Sequence, residues 1–150
     1  CANCRQCTQI PGESRGKCAQ EDALDPILSA VESASALVLA SPVNYYNATA
    51  LFRRFMERLL GHAYWPWGQK APALRSKLRP RKAVLVATAA MPGFLIPVAT
   101  GVTRALRLTA QSLGAKPVGK LWIGLAAGEP HPTLSKRTRE RARRLGWRLG

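Results

Sequence analysis

Four cysteines are the first residues with chemistry to offer: Cys1, Cys4, Cys7 and Cys18 open a chain of 150 residues that contains no others. The first three follow a C-x2-C-x2-C spacing, which lets neighbouring thiolates converge on one centre, and thiolates hold iron–sulfur clusters or zinc. The remaining ligands of a structural zinc site are missing, which ranks a cluster above zinc; the alternative is thiols that line a loop without metal. Cysteines that staple a small secreted fold are spread along it. Clustering at one end instead suits a metal site or redox loop in a reducing compartment, which points to the cytoplasm.

Two loops are the other candidates. Ser41-Pro42-Val43-Asn44-Tyr45-Tyr46-Asn47 leads toward a helix whose first N–H groups are free to meet the polar edge of a flat heterocycle, with Tyr45 and Tyr46 as stacking surface. It reads equally as a plain crossover whose tyrosines pack locally. In Thr88-Ala89-Ala90-Met91-Pro92-Gly93-Phe94 the small residues let backbone approach a ligand, or simply finish the core. His62 and His131 lack any nucleophile partner, and the few acids form no convergent set. An enzyme with so few acid/base groups needs a cofactor to carry its chemistry.

The elements that must position these loops follow from periodicity. Leu24, Ile27, Leu28, Val31 and Ala34 recur at helical spacing after Asp25, a cap, and Pro26, at the first helical position. Ala36–Ala40 and Lys82–Ala87 read as strands buried on both faces, the first stopping at Pro42. A helix runs from Asn47 toward Gly61, with Glu57 placed to pair with Arg53 or Arg54. Residues 62–80 read as a structureless connection. A helix over Val98–Leu113, a strand over Val118–Leu125 and a basic helix over Thr133–Leu149, capped by Ser135 or Thr133, complete the chain. Alternation of this kind predicts one α/β domain over 1–150, with a cysteine-rich loop at 1–20 and a doubly wound parallel sheet in 22–150.

Apolar residues make up 47% of the chain, enough for a real core, and no apolar run is long enough to span a bilayer. The formal net charge is +15, concentrated in Lys70–Lys82 and Lys136–Arg148. Neither run has zinc-finger or base-stacking spacing, so a solvated basic face is the better reading than nucleic-acid contact.

Ser41-Pro42-Val43-Asn44-Tyr45-Tyr46, followed by Thr49–Arg53 and Phe55–Arg58, resembles a segment of the NADPH-dependent FMN reductases. The cysteine loop ending in Cys18-Ala-Gln-Glu21-Asp22 resembles that of the iron–sulfur flavoprotein branch of the same flavodoxin-like family. The resemblance implies a flavodoxin-like sheet with FMN at the strand carboxyl ends. Ser41, Pro42, Val43, Asn44, Tyr45 and Tyr46 would line the flavin ring, and Thr88, Ala89, Ala90, Met91, Pro92 and Gly93 would form the second ring-contacting loop. Cys1, Cys4, Cys7 and Cys18 would hold an iron–sulfur cluster. NAD(P)H would reduce the flavin, a small acceptor would take the electrons, and the protein would be a homodimer. The family's first strand and phosphate loop lie ahead of its cysteines and are expected to be missing here, an N-terminally truncated version of the fold. Asn44 stands where the family has an aromatic residue, and Glu57 where it has Asp.

Overall fold

A computed structural model describes all of residues 1–150. In chain order the elements are α1 (Leu24–Ser33), β1 (Ala36–Asn44), β2 (Asn47–Ala48), α2 (Ala50–Glu57), β3 (Ala63–Tyr64), β4 (Ala73–Leu74), β5 (Arg81–Thr88), α3 (Ile96–Ala99), α4 (Val102–Ser112), β6 (Ala115–Ile123) and α5 (Lys136–Trp147). Short 3-10 turns cover Gln6–Thr8 and Arg58–His62. The main sheet has the order β2-β1-β5-β6. Its long strands β1, β5 and β6 are parallel, and β2 pairs antiparallel with the end of β1.

Successive side chains of a strand point to opposite faces, and β5 shows this directly. Ala83, Leu85 and Ala87 join the larger core with Leu28, Ile96, Val102 and Leu106, whereas Val84 and Val86 join a smaller cluster with Leu121, Leu145 and Leu149. Helices therefore cover both faces, α1 and α4 on one and α5 on the other, as a doubly wound sheet requires. Leu85, Ile96 and Leu106 are fully buried; truncating any one to Ala costs about 2–5 kcal/mol. Gly119 lets α5 close on β6, because a Cβ there would lie 2.2 Å from Leu145 Cδ2. No helix is long and apolar enough to cross a membrane.

Several expectations are corrected. The first strand runs through Pro42 to Asn44, because β1 is paired on one side only up to Pro42 and a proline is tolerated on such an edge. It is also buried on one face only: Leu37 and Ser41 are buried, while Val38 is 61% exposed. The helix expected from Asn47 starts three residues later, because Asn47 and Ala48 first pair back onto β1, and Thr49 Oγ1 caps it by accepting the Phe52 N–H. Asp25 lies inside the first turn of α1, whose N-cap is Ala23, and Asp22 just ahead of the cap accepts the Leu24 N–H at 3.0 Å. Asp25 instead pairs with Arg15, and Glu57 forms none of the protein's three ion-paired contacts, which join Arg15 to Asp25 and Glu32, and Arg58 to Asp22. The helix expected over 98–113 is two pieces separated at Thr100 and Gly101. The connection at 62–80 contains the β3–β4 hairpin.

Candidate functional site

Parallel register sets the site. Pro42 lies opposite Thr88, and Thr88 opposite Ile123, so the segments that follow β1, β5 and β6 meet at one end of the sheet. Both sequence-derived loops are brought together there.

The first is a hairpin. Asn44 pairs with Asn47, and Tyr45 and Tyr46 form the two-residue turn with φ of 47° and 61°. Two consecutive left-handed residues suit the right-handed twist of a hairpin, but that conformation favours Asn and Gly and costs bulky side chains about 1–2 kcal/mol each. The rings are nonetheless presented to solvent: Tyr45 is 95% and Tyr46 66% exposed, with centroids 6.5 Å apart at 74°. Backbone strain that buries nothing is found where a surface is being held ready. Buried Ser41 anchors the turn's base, its Oγ donating to the Pro42 carbonyl at 2.9 Å and accepting the Thr49 N–H at 3.1 Å. The Gly101 N–H donates to the Tyr46 carbonyl at 2.9 Å. A Cβ on Gly101 would meet the Asn47 amide at 2.9 Å.

The second loop is braced by the end of β6 and the segment after it. Ala89 N–H donates to Ile123 O (2.9 Å), Leu125 N–H to Met91 O (3.1 Å) and Ala126 N–H to Ala89 O (3.0 Å). Gly124 makes this possible, since a Cβ there would sit 2.0 Å from the Gly93 nitrogen. Ala89 is buried by the bracing, which leaves Ala90 and Phe94 exposed and Thr88, Met91, Pro92 and Gly93 half-buried at the surface of the site. Leu125, exposed with φ of 56°, completes the rim. Sequence reasoning missed Gly101, Gly124 and Leu125. Gly124 directly follows a strand, which is the signal that could have found it.

The cysteine loop is clamped to residues 61–75. Arg5 stacks on Trp65 and Trp67, 3.8 and 4.3 Å from their ring centroids, and donates to the Trp65 carbonyl at 2.6 Å. These tryptophans thus pack locally. Fully buried Thr8 donates from Oγ1 to the Arg5 and Trp65 carbonyls. Arg75 gathers four carbonyls: Gly61 (2.9 Å), Ile10 (2.8 Å), Gly12 (3.0 Å) and Cys7 (3.1 Å).

All four cysteines are free thiols. Burial pushes the Cys7 thiol above its usual range, and nearby Cys18 and Cys4 add to this. Cys18 moves the other way: burial opposes its charge, but the Arg58 guanidinium, which donates to Sγ at 3.2 Å, holds its pKa below the usual thiol range. Asp22 in turn ion-pairs with Arg58. No group of three or more His, Cys, Asp or Glu side chains converges closely enough to hold a metal ion. Cys1, Cys4, Cys7 and Cys18 therefore do not form the expected cluster site in this arrangement. Cys1 is turned to its own loop, accepting the Asn3 N–H, and Arg58 occupies the side of Cys18.

A parallel sheet wound on both faces, with its distinctive loops at the strand carboxyl ends, defines a flavodoxin-like α/β protein. Among known proteins, the chain is similar to an iron–sulfur flavoprotein of Archaeoglobus fulgidus, 36% identical over 77 residues that make up 51% of this chain and 30% of that protein. In structure it is similar to an NADH:FMN oxidoreductase in apo form (TM-score 0.58, 15% identity, 87% of this chain and 60% of the other). It is also similar to a flavone reductase (TM-score 0.56, 16% identity, 85% and 45%), and to general stress protein 14 of Treponema denticola in complex with FMN (TM-score 0.50, 19% identity, 87% and 72%). No family model matches the chain. These similarities bear out the flavodoxin-like fold that the resemblance implies. The chain spans about a third of the length of the Archaeoglobus protein and three fifths of the NADH:FMN oxidoreductase.

Proposed function

We propose that the carboxyl-end site receives the flavin ring of FMN, and that the protein serves as an FMN-dependent NAD(P)H oxidoreductase delivering electrons to a small acceptor. The observation that carries this reading is the Tyr45–Tyr46 turn, in which two aromatic residues sit at positive φ and expose their rings beside the Thr88–Phe94 loop. A flat apolar heterocycle with a polar edge is the ligand such a platform suits. Tyr45 and Tyr46 would offer ring faces, and the Ala90–Gly93 backbone, held in place by the segment after β6, would meet the ring edge. FMN bound there supplies a centre able to accept hydride from a reduced nicotinamide. Apart from the Tyr45 and Tyr46 phenols, the site residues include no acid, base or thiol, which agrees with a role of binding and orienting.

Lumiflavin, which carries the ring without a phosphate, tests these contacts directly. Saturable quenching of its fluorescence is expected, weakened roughly two- to tenfold when Tyr46 is replaced by Ala, since one stacked ring is worth about 0.5–1.5 kcal/mol. Quenching that is absent, or indifferent to both tyrosines, refutes the reading. Homodimerisation belongs to the same proposal and is checked by sedimentation with and without FMN.

The spacing of the cysteines and the name of the Archaeoglobus relative favour a second reading, an iron–sulfur electron carrier. Iron and acid-labile sulfide assays on anaerobically prepared protein decide it, and absence of both rejects it.

A further inference from the structure

The strongest unexplained feature lies away from the carboxyl-end site. Helix α5 carries Arg137, Arg141, Arg144 and Arg148 at spacings of four, three and four residues, which aligns them along one stripe. Arg141, Arg144 and Arg148 join Lys120 of β6 in lining a groove of about 540 Å3 floored by Pro117–Gly119. Arg141 Nη2 and Arg148 Nη1 reach across it to the Lys120 and Val118 carbonyls, at 3.3 and 3.5 Å. None of the groove's cations meets a carboxylate within ion-pair distance, because every such pair in the protein involves Arg15 or Arg58. Glu140 is the helix's one acid, and it too is unpaired. Adjacent like charges on a helix destabilise it, so an unneutralised stripe fits a polyanion.

A charge run alone reads as a solvated face. The structure adds Trp147, 87% exposed one turn beyond Arg143 and Arg144. The helix has no apolar face left for a bilayer, since Ala142, Leu145 and Leu149 already pack on the sheet. Cations that track a backbone, next to an exposed aromatic ring, are the arrangement that binds unpaired bases. We propose that the α5–β6 groove binds the phosphate backbone of a single-stranded nucleic acid, with Trp147 stacking on a base. This site is independent of the flavin reading, because it shares no residue with the carboxyl-end loops.

The test is fluorescence anisotropy of the whole chain with labelled oligo(dT) and oligo(U) of about 20 nucleotides, across a salt series. Neutralising four phosphates predicts a log–log salt slope of about −3. Replacing Arg141, Arg144 and Arg148 together with Gln flattens that slope by about two units. Trp147→Leu weakens binding roughly tenfold and leaves the slope unchanged. Circular dichroism verifies that each variant is folded. Lys70→Gln, Lys77→Gln and Arg79→Gln together, a charge-matched change outside the groove, leave binding intact. The proposal is overturned if Trp147→Leu has no effect, if the control variant weakens binding as much as the groove variants, if heparin or duplex DNA binds as well as the single strand, or if anionic phosphatidylserine vesicles are bound and the oligonucleotides are not.

Discussion

Replacing Tyr45-Tyr46 with Asn-Gly separates the cost of the turn from its use. Both tyrosines hold left-handed backbone, at about 1–2 kcal/mol each. Asn tolerates that region and Gly has no penalty there, so the double change relieves roughly 2–4 kcal/mol. Against this stand the lost edge-on contact between the rings, about 0.5–1.5 kcal/mol, and up to about 1 kcal/mol for the added backbone freedom of Gly in the unfolded chain. Burial adds little, because Tyr45 is 95% exposed and Tyr46 66%. The balance is a stabilisation of about 1 kcal/mol, which is a Tm rise of about 2–4 °C for a chain of this size. Urea titration followed by circular dichroism measures it, and lumiflavin quenching on the same sample measures the site. The expected result is a more stable protein that binds the ring poorly. A variant that is less stable would show that the tyrosines are supported by packing, and one that binds the ring undiminished would remove them from the site.

Three further outcomes are expected. Arg75→Ala, losing four carbonyl acceptors, should loosen the cysteine loop by about 2–4 kcal/mol; with Cys1, Cys4 and Cys18 replaced by Ser, the Cys7 thiol should then react with a disulfide reagent at least ten times faster, and an unchanged rate would dismiss the clamp. His62 is half-buried, with its Nε2 shielded from solvent and unpartnered, and this burial lowers its pKa below the ordinary imidazole value of about 6.5. The unfolded chain therefore binds the proton first, so stability should fall as pH drops below about 6.5, and His62→Gln should flatten that part of the urea-midpoint profile. Gly124→Ala drives a Cβ into the Gly93 nitrogen and the Met91 carbonyl; displacing the braced loop should weaken lumiflavin binding more than tenfold while circular dichroism stays native, whereas equal binding would place the ring elsewhere.

Much of the architecture was legible because the strands announce themselves. Lys82–Ala87 is a continuous apolar run and is the central strand, covered on both faces. Ala36–Ala40 looks the same in sequence, yet sits beside a largely unpaired edge and is covered on one face only. Periodicity reports apolar residues and is silent on which neighbours arrive to cover them. The Pro42 stop failed for the same reason, since a proline breaks a strand only where a neighbour needs its N–H. The hairpin at Asn47 was hidden because Tyr-Tyr is a poor composition for a two-residue turn. What forces it is tertiary: the Gly101 bond to Tyr46 and the Ser41 bond to Thr49. The clamp on the cysteine loop was equally invisible, because Arg75 lies more than sixty positions from the carbonyls of Cys7, Ile10 and Gly12.

The two site loops were legible as segments, but the division of labour within them was not. The sequence offers six residues from Thr88 to Gly93 as equivalent ring contacts. Hydrogen bonding splits them: Ala89 spends its N–H on the last residue of β6 and its carbonyl on the segment after it, and Met91 spends its carbonyl there too. Those bonds fix the loop's shape and withdraw the groups that make them from any ligand. The Pro92 and Gly93 carbonyls are spent as well, on the Leu95 and Ile96 N–H groups, so polar contacts to the ring fall first to Ala90, opposite a tyrosine turn whose strain is already met in the folded state. A platform built this way needs no rearrangement to receive a flat ligand, so its affinity should respond to substitutions at Gly101 and Gly124, which touch only the supports, as strongly as to substitutions at the tyrosines.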